Sequence, residues 1–117
     1  MFDVMGRTIR ISRGDTGLIR FAIEGVVLTA KDLCVFTVKR RSGGTVMEKV
    51  IEPEDNSYLV PFTNEETERM QVGDYEWDIR IALDATTDGM GRVNGGREII
   101  TPWPPAAFKI VKAVGSV

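Results

Sequence analysis

The sequence contains no histidine and a single cysteine, Cys34. Without histidine the chain lacks the side chain best suited to proton transfer near neutral pH, and also the commonest protein ligand of zinc and iron. One cysteine excludes an intramolecular disulfide, so the stability of the fold does not depend on an oxidising compartment. We therefore expect a protein that is not an enzyme and that holds no metal ion and no cofactor.

An excess of basic charge is also missing. The chain has 15 lysine and arginine residues against 17 aspartate and glutamate residues, which gives a formal net charge of −2. A nucleic-acid-binding protein needs a basic face to replace the counterions of the phosphates, so we expect no nucleic acid as partner. No apolar run approaches the roughly 20 residues of a membrane span. Residues 1–10 lack the apolar core of a signal peptide, and we expect a protein made in the cytoplasm that binds no membrane.

What the chain does contain is typical of one globular domain. Its 117 residues are 43% apolar and 27% charged, close to the average of folded proteins. This length is enough for one hydrophobic core and too short for two. We therefore predict a single domain over residues 1–117.

Alternation with a period of two residues dominates the sequence and predicts β-strands. In residues 74–83 it is clearest, because five large apolar side chains share one face while mainly charged side chains share the other. The face turned to the core consists of Tyr75, Trp77, Ile79, Ile81 and Leu83. The other predicted strands are residues 8–13, 18–24, 33–40, 45–51, 58–62, 97–101 and 107–114.

Turn residues between these runs indicate how the strands are joined. Ser42-Gly43-Gly44 predicts a hairpin between residues 33–40 and 45–51, and the turn at 14–17 predicts another between the first two strands. Pro61 indicates that its strand lies at a sheet edge. Seven to eight short strands with one minor helix predict an all-β fold, an antiparallel immunoglobulin-like β-sandwich, with a partly closed barrel as the alternative.

One helix is predicted, over residues 63–70. Thr63 and Glu66 have the spacing of a capping box, in which each side chain accepts a hydrogen bond from the backbone of the other residue. Gly73 lies just beyond the predicted end. We expect this helix to join two strands and not to form a layer of its own.

The segment 84–105 is predicted as a long connection, in which a loop over residues 84–96 is followed by the short strand 97–101 and a proline-rich stretch. Residues 90–103 are predicted as the contact surface for a partner. Within the segment 84–105, we select Met90, Arg92, Trp103 and Pro104 as candidate contact residues. Prolines flank Trp103 and prevent regular strand pairing, which leaves two interpretations of this residue open. Its ring is either an exposed contact anchor or a cover folded over an open sheet edge. Cys34, in contrast, alternates with other apolar residues and is predicted to be a buried, inert thiol.

Several short motifs also occur in a characteristic order. They are Arg13-Gly14-Asp15-Thr16, Leu28-Thr29 with Asp32, Val35-Phe36-Thr37-Val38-Lys39, Thr63-Asn64-Glu65-Glu66-Thr67, Gly73-Asp74-Tyr75-Glu76-Trp77-Asp78-Ile79-Arg80 and Phe108-Lys109-Ile110-Val111. This order resembles the N-terminal immunoglobulin-like domain of phage baseplate upper proteins and of related small prophage tail proteins. The likeness covers nearly the whole chain. It departs from the family at the segment 84–105, where the family has a short turn.

The resemblance implies a structural module without catalytic residues. It implies a phage or prophage virion protein of the tail, the baseplate or a head-to-tail adaptor, made in the bacterial cytoplasm. Its expected partners are other virion subunits, and a homo-oligomer is a further expectation because phage parts are ring-shaped. The alternative is a carbohydrate- or surface-binding β-sandwich module of a bacterial protein, with Trp103 or Tyr58 as the sugar platform.

Overall fold

A computed structural model describes residues 1–113, and nearly all of their regular structure is β. The predicted strand 107–114 is found as Ala106–Val111, and Val114 lies outside the described residues. In chain order the elements are β1 (Phe2–Met5), β2 (Thr8–Ser12), β3 (Gly17–Ala22), β4 (Leu33–Arg40), β5 (Thr45–Ile51), β6 (Ser57–Phe62), α1 (Asn64–Glu68), β7 (Gly73–Leu83), β8 (Thr86–Thr87), β9 (Val93–Gly95), β10 (Glu98–Ile100) and β11 (Ala106–Val111).

The strands are more numerous than the seven to eight predicted from the sequence. The unpredicted ones are β1, β8 and β9, and each has four residues or fewer. Alternation needs about four to eight residues to be recognised, which is why such short strands escape a periodicity search.

The largest sheet is mixed and not purely antiparallel, which corrects the sequence-based prediction. Its strands follow the order β1-β2-β11-β7-β4-β5, and β10 pairs with β7 beside β11. The predicted hairpin of β4 and β5 is confirmed. The pair β2–β11 is parallel, with Ile9 opposite Phe108 and Ile11 opposite Ile110. This parallel pair places a strand from the start of the sequence beside a strand from its last quarter. No turn connects two such strands, so the sequence contains no local signal that predicts their pairing.

The predicted hairpin between the first two strands is wrong. β2 pairs with β1 and β11, whereas β3 leaves the large sheet and pairs with β6. The residues between them are bound elsewhere: the Arg13 N–H donates to the Val111 carbonyl (2.9 Å), and the Gly14 N–H donates to the Thr67 hydroxyl (3.0 Å). These hydrogen bonds hold residues 13 and 14 where the chain passes from the large sheet to the β3–β6 ladder. The turn therefore connects two layers and not two neighbouring strands.

Aromatic rings fill the space between the large sheet and the ladder β3–β6. Phe62 of β6 lies between Phe36 of β4 and Phe108 of β11, with ring centroids 5.5 and 5.6 Å apart. Phe21 of β3 contacts Trp77 of β7 at 5.3 Å. Fully burying a ring of this size contributes about 1.5–3 kcal/mol, so these contacts between the layers contribute substantially to stability.

The predicted burial and helix are confirmed. The five predicted core residues of β7 are all 6% exposed or less. Helix α1 begins after Thr63, whose hydroxyl accepts from the Glu66 N–H at 3.2 Å while the Glu66 carboxylate accepts from the Thr63 N–H at 2.9 Å. Glu66 also accepts from Lys49 of β5 (2.7 Å), which fixes the helix beside the edge strand of the large sheet.

Candidate interaction surfaces

The segment 84–105 is folded and not an open loop. β8 and β9 form a small antiparallel hairpin, and β10 pairs with the end of β7. Asp88 builds the turn of the hairpin, because one carboxylate oxygen accepts from the N–H groups of Met90 (2.8 Å) and Arg92 (3.0 Å). The backbone N–H groups of Arg92 and Met90 lower the pKa of Asp88 below its ordinary value of 3.8.

Two of the candidate contact residues lie on this hairpin. Met90 stands at its tip with 86% of its surface exposed. Arg92 is also exposed, and its Nε lies 3.8 Å from a carboxylate oxygen of Glu48 on β5. An exposed ion pair at this distance contributes at most about 1 kcal/mol. It therefore restrains the position of the hairpin relative to the sheet only weakly.

Between the hairpin and the large sheet lies an open groove, which we call the outer groove. Its volume is about 450 Å³, and its floor is the outer face of β4, β5 and β7. The strand register places Thr37 between Glu48 and Asp78, with Val35 and Arg80 forming the next row. The groove therefore offers a partner charges of both signs beside apolar groups.

The other two candidate residues lie at a different place. Trp103 is half-buried, and its ring lies 5.8 Å from that of Phe21 in the inner layer. Pro104 beside it is exposed. Of the two interpretations left open by the sequence, the structure therefore shows the ring folded onto the core. Met90 and Arg92 belong to one surface, and Trp103 and Pro104 belong to another.

One side of the Trp103 ring borders a cavity of about 280 Å³, which we call the edge cavity. Ile9, Ile19 and Trp77 form its apolar walls together with Phe21 and Trp103. Sequence reasoning missed two charged residues that line it, Arg7 and Arg20. Arg20 lies in the β3 alternation, but only the fold shows that β3 and the β1–β2 turn face one another.

Tyr58 does not serve as a sugar platform. Its side chain is fully buried, and its hydroxyl donates to the Asp32 carbonyl at 2.6 Å. Burial raises the pKa of Tyr58 well above its ordinary value. The sequence reasoning that offered Tyr58 as an alternative to Trp103 was therefore wrong, because a side chain without exposed surface cannot stack on a sugar ring.

Cys34 is buried in the core, and the Arg13-Gly14-Asp15 turn is hydrogen-bonded to helix α1. The Cys34 thiol is fully buried, and burial raises its pKa to about 12, which suppresses the nucleophilic thiolate. Arg13 donates from Nε to the Glu68 carbonyl (2.9 Å), and the buried Thr67 hydroxyl donates to the Asp15 carbonyl (2.8 Å). The tripeptide thus acts as a structural turn that binds the end of α1.

Residues 1–113 contain no group of three or more cysteine, aspartate or glutamate residues placed to hold a metal ion. No helix in the same range is long and apolar enough to cross a membrane. Comparison of the chain with protein-family models, with curated proteins and with solved structures gave no match.

Proposed function

We propose that this chain is a structural or accessory subunit of a phage or prophage virion and that it acts by docking onto other subunits. The observation that carries the docking role is the outer groove beside the β8–β9 hairpin, whose turn exposes Met90. Methionine is adaptable and apolar, and it is enriched where protein surfaces meet. The assignment to a virion rests on the resemblance in the order of the sequence motifs.

The spatial arrangement of those motifs supports the proposal. Arg13-Gly14-Asp15-Thr16, the threonine-capped helix and the closing strand are far apart in sequence, yet they are in contact in the fold. Thr67 of the helix contacts Gly14 and Asp15, and the Arg13 N–H reaches Val111. Motifs that bond to one another act as one structural unit. Turn residues that matched the family only by chance would not be expected to contact one another.

We also propose that the fold is of the immunoglobulin-like kind. β11, β7, β4 and β5 follow the order G-F-C-C′ of a variable-type sheet, and β3 with β6 corresponds to the B–E pair of the facing sheet. Tyr75, near the start of β7, donates its hydroxyl to the Gln71 carbonyl at 2.7 Å. A tyrosine at this corner, bonded to the backbone a few residues upstream, is a recurrent feature of such sandwiches.

Purified particles test the virion assignment directly. Particles of the phage or induced lysogen that encodes the chain are banded on a density gradient, and the chain is quantified by mass spectrometry. We expect it to co-migrate with the particles at a fixed ratio to the other tail proteins. A chain that stays entirely at the top of the gradient would contradict the proposal.

Matched variants test the docking surface in the same assay. Met90→Asp places a charge at the tip of the hairpin and is expected to prevent incorporation into particles. Val27→Asp is the control, because Val27 is equally exposed, at 88%, but lies on another loop. Equal loss for both variants would show that added charge alone interferes, and normal incorporation of Met90→Asp would remove the tip of the hairpin from the proposed docking surface.

Self-association is a second part of the proposal. Light scattering over a wide concentration range is expected to show a ring-sized oligomer if the subunit assembles on its own. A strict monomer would contradict self-assembly and leave an adaptor that docks only on its partner.

The alternative function is binding of carbohydrate, and the half-buried ring of Trp103 is the observation that favours it. Aromatic rings beside a cavity are suited to stacking on sugars, although Tyr58 no longer contributes. A glycan array separates the two functions, because only the sugar-binding module is expected to bind a glycan and to lose that binding in Trp103→Ala.

A further inference from the structure

The edge cavity is preformed and apolar. The rings of Phe21 and Trp103 lie 5.8 Å apart on one side, and Trp77 closes the bottom. The indole N–H of Trp77 donates to the Arg7 carbonyl at 2.8 Å, so the one polar atom of the Trp77 side chain has a hydrogen-bond partner. The same bond holds the β1–β2 turn in place as the opposite wall of the cavity.

The cavity follows the free edge of a strand. Four consecutive residues of β3, numbers 19–22, line it, so the backbone as well as alternate side chains borders the cavity. Within residues 1–113, β3 pairs only with β6, and β1 on the facing side pairs only with β2. The second edge of β3 thus presents unpaired backbone N–H and carbonyl groups that another extended chain can bind.

The charge at the cavity has one sign. Arg7 and Arg20 are its only charged lining residues, and both are exposed. Neither forms an ion pair with another described residue, although the chain as a whole carries a net charge of −2. A guanidinium group pairs well with a carboxylate because its planar N–H groups match the two oxygens.

We propose that the edge cavity is a second docking site, which binds an extended acidic segment of a partner protein. The segment adds a strand to β3, places one apolar side chain in the cavity and directs its carboxylates to Arg7 and Arg20. Backbone hydrogen bonds supply affinity in this mode of recognition, and the cavity selects the side chain. A volume of about 280 Å³, at the lower limit of small-molecule sites, leaves room for an apolar side chain of the segment.

This site is separate from the outer groove and does not depend on the virion assignment. The outer groove lies on the outer face of the large sheet, whereas the edge cavity lies between the two layers. A chain with two docking sites is suited to link two different partners.

Labelled peptides of about seven residues, the length of a typical strand, test the proposal on the full chain. The first peptide has a central leucine flanked by glutamates, the second has glutamines instead of the glutamates, and the third has serine instead of the leucine. Fluorescence anisotropy measures binding at about 0.05 M and about 0.5 M NaCl. We expect the first peptide to bind best, roughly fivefold tighter than the second, and to weaken at high salt.

Matched variants assign the binding to the two arginines. The double variant Arg7→Gln with Arg20→Gln is expected to weaken the glutamate peptide roughly fivefold and to leave the glutamine peptide unchanged. Arg41→Gln removes an exposed, unpaired arginine from the β4–β5 turn and serves as the control. Trp103→Ala is expected to abolish the preference for leucine over serine, and the arginine variants keep the test valid if Trp103→Ala does not fold.

Several results would overturn the proposal. One is the absence of binding by every peptide at about 1 mM, and another is an equal effect of the arginine variants on both charged and uncharged peptides. Competition by a neutral oligosaccharide would assign the cavity to a sugar. Self-association that is lost in Trp103→Ala would assign it to a second copy of the chain. A negative particle assay leaves the peptide result intact, so the two proposals fail independently.

Discussion

Asp32 joins the connection before β4 to the end of β7, and its replacement by asparagine is expected to destabilise the fold. Its carboxylate accepts from the Thr29 N–H at 2.8 Å and from the Asp84 N–H at 2.9 Å. Only 6% of the residue is exposed, so water does not replace these bonds. The Asp32 carbonyl also accepts from the buried Tyr58 hydroxyl.

The magnitude follows from the number of charge-assisted bonds. Asp32→Asn keeps the shape of the side chain but has one acceptor oxygen, so its NH₂ group faces an N–H donor. A hydrogen bond to a charged group contributes about 1.5–3 kcal/mol, and a donor left without a partner adds a further penalty. We expect a loss of about 2–3 kcal/mol near pH 7, which shifts the urea midpoint by about 1 M.

The pH dependence provides a second signature. Hydrogen bonds from the backbone N–H groups of Asp84 and Thr29 lower the pKa of Asp32 below its ordinary value of 3.8. As the pH falls, Asp32 therefore takes up a proton in the unfolded chain before it does so in the folded chain. The stabilisation by the Asp32 carboxylate is present above pH 3.8 and is lost as the pH falls below it. The difference in the free energy of unfolding between wild type and Asp32→Asn should shrink in that acidic range.

Urea unfolding, followed by the fluorescence of the two tryptophans, Trp77 and Trp103, measures both signatures. Asp84→Asn is the matched control, because it removes a neighbouring exposed carboxylate and keeps the backbone N–H that Asp32 binds. Asparagine also tolerates the positive φ of 51° at this position. A midpoint for Asp32→Asn equal to that of wild type, or a stability difference that persists unchanged in acid, would refute the reasoning.

Three further predictions concern the interior. Thr67→Val removes the hydroxyl that bonds Gly14 and Asp15 and should lower the free energy of unfolding by about 2 kcal/mol, whereas Thr67→Ser should cost only about 1 kcal/mol; urea titration measures both. Tyr75→Phe should cost about 1 kcal/mol in the same titration, because it removes the bond to the Gln71 carbonyl. Cys34 should not react with a thiol reagent in the folded protein and should react fully in urea, since its thiol is buried with a pKa near 12.

The buried face of the two central strands was predictable from the sequence. In β4 and β7 the apolar residues alternate with polar ones, and Phe36, Val38 and Ile79 are buried as predicted. Successive side chains of a strand point to opposite faces, so burial follows directly from alternation. The helix was equally predictable, because the capping box of Thr63 and Glu66 is a local interaction.

Which strands pair was less predictable, because pairing is decided by distant contacts. The turn after β2 looks like a hairpin turn, but Thr67 binds it from a position 53 residues away from Gly14. That contact and the parallel pairing with β11 direct β3 into the other layer. Arg7 and Arg20 escaped selection as site residues for the same reason, since only the fold brings them to one cavity.

The two candidate surfaces have a common origin in one interruption of a strand. β10 and β11 both pair with β7, in the same direction, with Ile100 opposite Ile81 and Ala106 opposite Trp77. Between these pairs, residues 78–80 of β7 lie opposite residues 101–105, which connect β10 to β11. Because five residues face three, two of them cannot pair with β7 and must leave the ladder. The prolines around Trp103 cannot donate hydrogen bonds, which places the break there, and the ring folds inward to form a wall of the edge cavity. β10 remains bound to the far end of β7 and carries the hairpin over the outer face, so the short proline-rich segment determines the position of both surfaces.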